Sequence, residues 1–135
     1  AIDRYFGLRL HVSNMLKHFN NNLEYELKRT YPNLYSKVHT FKRERIYNDT
    51  LQNIKDGIKD GLFREELDAE VVSKLVVGRM LFTLNPDNKV FSEDELMQLS
   101  LFDKVMDFHI HAICTPEGLK YYRKQLNNIQ NEEQN

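Results

Sequence analysis

The stretch PNLYSKVHTFKRERIYNDTLQNIKDGIKDG, residues 32–61, decides the fold. Leu34, Val38 and Phe41, then Tyr47, Leu51, Ile54 and Ile58, follow the three- and four-residue spacing of one helical face. Lys37, Lys42, Arg43, Glu44, Asn48 and Lys59 fall on the other side, which is predicted to be solvated. Pro32 suits a first helical turn, where its missing N–H removes no hydrogen bond. Gly61 suits the position just past a helix end, because glycine takes the left-handed conformation without steric cost. One long helix from Pro32 to about Asp60 follows. Gly57 sits inside it, in the duplication Ile54-Lys55-Asp56-Gly57 and Ile58-Lys59-Asp60-Gly61. A glycine there costs about 1 kcal/mol against alanine, so a close approach by another helix is expected. Leu62 and Phe63 are expected to pack back on the last turn.

Working outward, the same spacing continues. Ile2, Phe6 and Leu10, then Val12, Leu16 and Phe19, predict a first helix that Asn20-Asn21-Asn22 interrupts. A short helix over 23–30 follows. Asp68 is the expected N-cap of a helix reaching about Leu84. Val71, Val72, Leu75, Val76, Val77, Met80, Leu81 and Phe82 cover its whole circumference, which predicts a central, buried position. Asn85 to Lys89 reads as a polar, mobile loop. Ser92-x-x-Glu95 is a capping box opening a helix over 92–113. That helix carries two apolar stripes. Leu96, Leu99, Phe102, Met106, Ile110 and Ile113 make one, and Leu101, Val105, Phe108 and Ala112 the other. Two stripes imply two burial surfaces, one internal and one against a partner. Thr115 as N-cap, Pro116 at the first helical position and Glu117 beside the positive dipole end start the last helix. Leu119, Tyr122 and Leu126 form its apolar side. The fold class is therefore all-α, a single-domain bundle of about six helices over 1–128, with a frayed polar tail over 129–135.

The 135 residues fit one domain. Charged residues are 29% and net charge is −1, a soluble composition without the basic excess of a free-standing nucleic-acid binder. The densest basic run, Lys37, Lys42, Arg43 and Arg45 with Lys28 and Arg29, is diluted by Glu24, Glu26 and Glu44. One cysteine rules out an intrachain disulfide. No apolar run approaches the ~20 residues of a membrane helix, so no membrane partner is expected and the location is expected to be cytoplasmic.

Motifs for chemistry are sparse. The sequence holds no G-x-S-x-G, phosphate-binding glycine loop, H-E-x-x-H or C-x-x-C. Glu65-Glu66 and Glu93-Asp94-Glu95 sit where they complement helix dipoles. His109 and His111, two apart, point to different sides of a helix. His11 and His18, seven apart, share a face without a carboxylate near in sequence. His111 and Cys114 share a face but supply two ligands, fewer than a zinc site requires. The chain is therefore read as no enzyme, with no metal and no cofactor. Its many aromatic and methionine side chains suit an apolar pocket with a few polar handles. Tyr47, Met80, Thr83, Phe108 and His109 are the candidate ligand-binding residues.

Three runs carry a resemblance. They are Tyr31-Pro32-Asn33-Leu34-Tyr35, Phe41-Lys42-Arg43-Glu44-Arg45-Ile46, and Gly57-Ile58-Lys59-Asp60-Gly61-Leu62-Phe63-Arg64, followed by Asp68 onward and by Ile113-Cys114-Thr115-Pro116-Glu117-Gly118-Leu119. In this order, over about 23–126, they resemble the regulatory half of TetR-family transcriptional regulators. The resemblance implies a bacterial homodimer whose all-α C-terminal domain binds a small-molecule effector and controls operator binding by an N-terminal helix-turn-helix domain. It implies dimerisation through the last two helices as a four-helix bundle, with Leu99, Phe102, Met106, Ile110, Leu119, Tyr122 and Leu126 at the interface. No recognition helix can be placed within the chain, and Ala1 is not Met. The DNA-binding part is therefore expected upstream, and DNA is a partner only through it. Ala1 to Phe6 resembles the family's interdomain helix, though the short distance to Asn20 equally fits a later one. A helical protein–protein interaction module without a pocket is the alternative reading. An all-α metal protein would need metal at His111 and Cys114.

Overall fold

The protein is described by a computed structural model covering residues 1–17 and 21–135, with backbone alone for 21–24. The expected places of His18, Phe19 and Asn20 lie outside the described residues. Seven α-helices and no strand are present among the described residues. They are α1 (Ile2–Lys17), α2 (Asn21–Thr30), α3 (Pro32–Lys59), α4 (Ala69–Gly78), α5 (Glu93–Leu96), α6 (Leu99–Ile113) and α7 (Pro116–Gln134). The all-α bundle expected from the apolar spacing is therefore present.

The local signals act as their chemistry requires. Asp60 caps α3, and Gly61 follows in the left-handed region at φ 76°. The Asp68 carboxylate accepts from the backbone N–H of Glu70 and Val71 at 3.1 Å each. Thr115 Oγ1 accepts from Gly118 N at 3.1 Å, with Pro116 in the first turn. Ser92 and Glu95 form the reciprocal capping box.

Several expectations need correction. The capping box opens only the four-residue α5, because Gln98 is extended (ψ 125°) and α6 begins afresh at Leu99. That break resets the helical phase, so Leu96 and Leu99 are both half-buried. The helix from Asp68 changes at Arg79 into a π-helical turn, Arg79–Thr83, closed by Leu84 N donating to the Arg79 carbonyl at 2.9 Å. It is not buried all round: Leu75 is 68% exposed, Val71 and Phe82 are exposed too, and Ser73 is its one fully buried residue. An apolar circumference shows that both faces avoid water, not that one chain covers both. Asn85 to Lys89, read as a loop, contains a 3₁₀ turn, Pro86–Asn88. Asn85 caps it, and Asn88 Nδ2 donates to the Phe82 carbonyl at 2.9 Å. Helix α7 runs to Gln134, past the expected end near 128, and α2 begins at Asn21, inside the asparagine run.

The core is Ile2, Ile54, Phe63, Ile110, Ile113, Cys114 and Tyr122. Burying each isoleucine is worth roughly 2 kcal/mol. Helix α1 reaches several others. Phe6 stacks on Tyr122 of α7 at 5.8 Å, and Tyr121 donates to Asp3 at 2.7 Å. Arg4 pairs with Asp56 of α3 at 2.8 Å. Arg9, 19% exposed, holds both oxygens of Asp103 at 2.8 and 3.2 Å and Glu133 at 3.0 Å. Only the second half of the long helix packs inward. Leu34, Val38 and Phe41 remain exposed, whereas Ile54 is buried and Ile58 half-buried.

Two of the quoted sequence runs meet at a joint. Phe63 and Cys114 form an isolated antiparallel bridge. Arg64 N donates to the Ile113 carbonyl and Thr115 N to the Leu62 carbonyl, both at 2.9 Å. Thr115 Oγ1 donates to the Gly61 carbonyl at 2.7 Å, and Arg64 Nη2 to the Ala112 carbonyl at 2.7 Å. A Cβ on Gly118 would collide with the Leu62 carbonyl oxygen. The neighbour approaching Gly57 is Phe63 from beyond the turn, not another helix.

Candidate functional site: a polar cluster around Arg79

Helix α1 brings Tyr5, α3 brings Asn53, α6 brings His109, and the π turn brings Arg79. The Tyr5 hydroxyl and His109 Nε2 share a hydrogen bond of 3.1 Å, with the rings edge-on at 5.6 Å. Asn53, buried, accepts from Arg4 Nη1 at 3.1 Å. Phe63 flanks the Tyr5 ring at 6.3 Å.

Burial shapes the electrostatics. It pushes the Tyr5 hydroxyl up to about 12, against the opposing pull of the Asn53 amide. It pushes His109 down to about 4, and the nearby Arg79 charge adds to that. Both groups are uncharged at neutral pH. Burial also lowers Arg79, and its proximity to the Tyr5 hydroxyl is a lesser, opposite influence. Arg79 Nε is buried and has no hydrogen-bond partner among the described residues. A buried donor left without a partner costs about 1–3 kcal/mol, more when charged. The cluster is thus a half-buried cation among neutral polar groups.

The expected ligand residues do not converge. His109 belongs to this cluster, and Met80 and Thr83 lie half-buried on the π turn. Tyr47 instead lines a surface groove of about 300 Å³ with Arg43, Glu44 and Asn48 of α3 and Lys74 and Val77 of α4. Phe108 is 73% exposed and lines no interior pocket. Its neighbour His109 faces inward because adjacent helical residues are about 100° apart.

The expected interface residues also separate. Ile110 and Tyr122 lie in the chain's own core, so neither is available to a partner. Leu99, Phe102, Met106, Leu119 and Leu126 are half-buried. The inward stripe of α6 is the one ending in Ile110 and Ile113. In the other stripe Phe108 and Ala112 are exposed, while Leu101 and Val105 are half-buried. No three His, Cys, Asp or Glu side chains gather as metal ligands among the described residues. His111 is exposed, with Nδ1 2.8 Å from the Asp107 carbonyl, while the Cys114 thiol is buried and pushed up to about 11.

Tyr5, Asn53 and Arg79 escaped sequence reasoning. Arg79 alone left a trace, as one of two cations, with Lys74, within the largely apolar run 71–82. Nothing local marks Tyr5 or Asn53, whose roles depend on helices far away in sequence. Compared with known proteins, the chain matches no family model, no curated protein and no solved structure.

Proposed function

We propose that this chain is the regulatory domain of a bacterial TetR-like transcriptional regulator, which pairs with a second copy and binds a small-molecule effector. The observation that carries this reading is the uncovered apolar surface on two helices. Val71, Leu75 and Phe82 lie along α4 and its π turn, and Phe108 stands out from α6. Apolar patches of this kind mark association surfaces on soluble chains. The interlocked joint between residues 61–64 and 112–118 adds support, since it unites two of the runs that carry the family resemblance. The dimer surface is accordingly the second stripe of α6 together with α4, rather than the stripe holding Ile110. Effector binding favours one arrangement of the paired domains, and so changes operator binding through a helix-turn-helix domain.

Sedimentation velocity tests the pairing. The protein is expected to be a dimer at tens of micromolar. Phe108→Asp and Leu75→Asp are expected to yield folded monomers, because an unpaired charge in an apolar interface is strongly unfavourable. A wild-type monomer at that concentration would refute the pairing. A dimer unaffected by both substitutions would show that the interface lies elsewhere.

A further inference from the structure

The apolar row on helix α3 changes face halfway along. Leu34, Val38 and Phe41 follow one another by four and three residues, but six residues separate Phe41 from Tyr47. At about 100° per residue, that step falls roughly 120° short of two full turns. Tyr47, Leu51, Ile54 and Ile58 therefore lie on the side that meets α4 and the core, where each is buried or half-buried. Leu34, Val38 and Phe41 lie on a different side and stay exposed, Phe41 at 63%. Helix α2 packs beside them rather than over them, with Lys28 above the Tyr35 ring at 5.7 Å. Arg45 continues the exposed row four residues on, paired with Asp49 of its own helix at 3.6 Å. Lys37 and Lys42 flank the row, one on each side. Neither makes an ion pair among the described residues.

We propose that the row Leu34, Val38, Phe41 and Arg45 docks an acidic amphipathic helix of a partner protein, laid alongside α3. This inference does not rest on the regulatory reading above and uses a different surface. Alternating steps of four and three residues make a narrow seam, the pattern by which two helices interdigitate. A face that sinks into a lipid surface is wider. Nucleic acid is held through its phosphates by clustered cations, whereas the centre of this face is apolar. Residues beside such a seam choose the partner by charge. Lys37 and Lys42 favour carboxylates opposite them, and a carboxylate opposite Arg45 fixes the register. Glu44, on the same flank as Lys37, favours a basic or neutral residue opposite. A second copy of the chain does not match these demands. Laid parallel, it sets Lys37 against Lys42 and Arg45 against Arg45. Laid antiparallel, it sets Arg45 on Leu34 or Lys37 against Lys37. Juxtaposed like charges count against both arrangements.

The test titrates the full chain into three labelled helical peptides of equal length, followed by fluorescence anisotropy. The first has leucine at the seam positions and glutamate beside them. The second exchanges the glutamates for lysines, and the third exchanges the leucines for serines. The first peptide is expected to bind. The second is expected to bind roughly tenfold more weakly or worse, since surface attractions become repulsions, and the third not at all. Phe41→Ser, a change at an exposed position, is expected to abolish binding. The double variant Lys37→Glu/Lys42→Glu is expected to reverse the preference between the first two peptides. Leu75→Asp and Phe108→Asp, on the surface proposed for pairing, are expected to leave it unchanged. Equal affinity for the first two peptides, no reversal in the double variant, or no binding of any peptide at millimolar concentration would each overturn the proposal. Pelleting with phosphatidylserine vesicles that is lost in Phe41→Ser would overturn it in favour of a membrane surface. Self-association lost in Phe41→Ser and retained in Leu75→Asp would overturn it in favour of a second copy.

Discussion

Gly57→Ala isolates the contact that closes the end of the long helix. A Cβ at this position would lie 2.5 Å from Cε2 and 2.6 Å from Cγ of Phe63, and closer still to Cδ2. Carbon atoms pack at about 3.5–4.0 Å, so the ring must retreat by about 1 Å or more. It has little room, being 1% exposed and flanked by Tyr5. Its backbone is tied too, since Phe63 N donates to the Gly57 carbonyl at 3.0 Å and Phe63 bridges to Cys114. Overpacking of this kind costs about 1–3 kcal/mol, and full expulsion of a phenylalanine ring about 3–5 kcal/mol. Replacing a mid-helix glycine by alanine offsets about 1 kcal/mol. The expected net loss is about 2 kcal/mol. Urea unfolding followed by circular dichroism, at fixed protein concentration, should show a midpoint lower by roughly 1 M with unchanged slope. Adding Phe63→Leu should recover part of the loss, giving a coupling that simple additivity lacks. A Gly57→Ala protein more stable by about 1 kcal/mol, or strict additivity with Phe63→Leu, would refute the reasoning, because helix propensity alone would then explain the position.

Three other outcomes follow from the same geometry. His109 has a folded pKa of about 4 against an ordinary 6.5, so its neutral form contributes stability that is fully present above 6.5 and lost as pH falls toward 4. The loss is about 3 kcal/mol across that window, and His109→Gln should flatten it; equal pH slopes for the two proteins would count against a buried neutral ring. Thr115→Ala should cost about 1–2 kcal/mol through the lost cap, and Gly118→Ala more, because the obstacle is the Leu62 backbone rather than a movable side chain; a neutral Gly118→Ala in the same urea assay would contradict the joint. Cys114, buried with its thiol raised to about 11, should react with a thiol dye slowly when folded and rapidly in denaturant; fast labelling of the native protein would place the residue outside the core.

The helices and their ends were legible from sequence because their causes are local. The α3 spacing, the stop at Gly61, the caps Asp68, Ser92 and Thr115, and Pro116 all act within one turn, and each appears where its chemistry requires. The candidate site was legible only in part. His109 was singled out, yet its partner Tyr5 lies 104 residues away in sequence. Phe108, adjacent to His109, was assigned to the same pocket, although one residue on a helix separates inside from outside.

The two apolar stripes of 93–113 show where sequence stops. Sequence determined by itself that both stripes avoid water. Only the tertiary structure decided that Ile110 and Ile113 serve the chain's own core while Phe108 is left outside. The same division holds along α4, where apolar residues encircle the helix but only one side meets α3. Hydrophobicity is non-directional and records what must be covered. What covers it, and which polar groups meet Arg79, depends on contacts between segments distant in the chain.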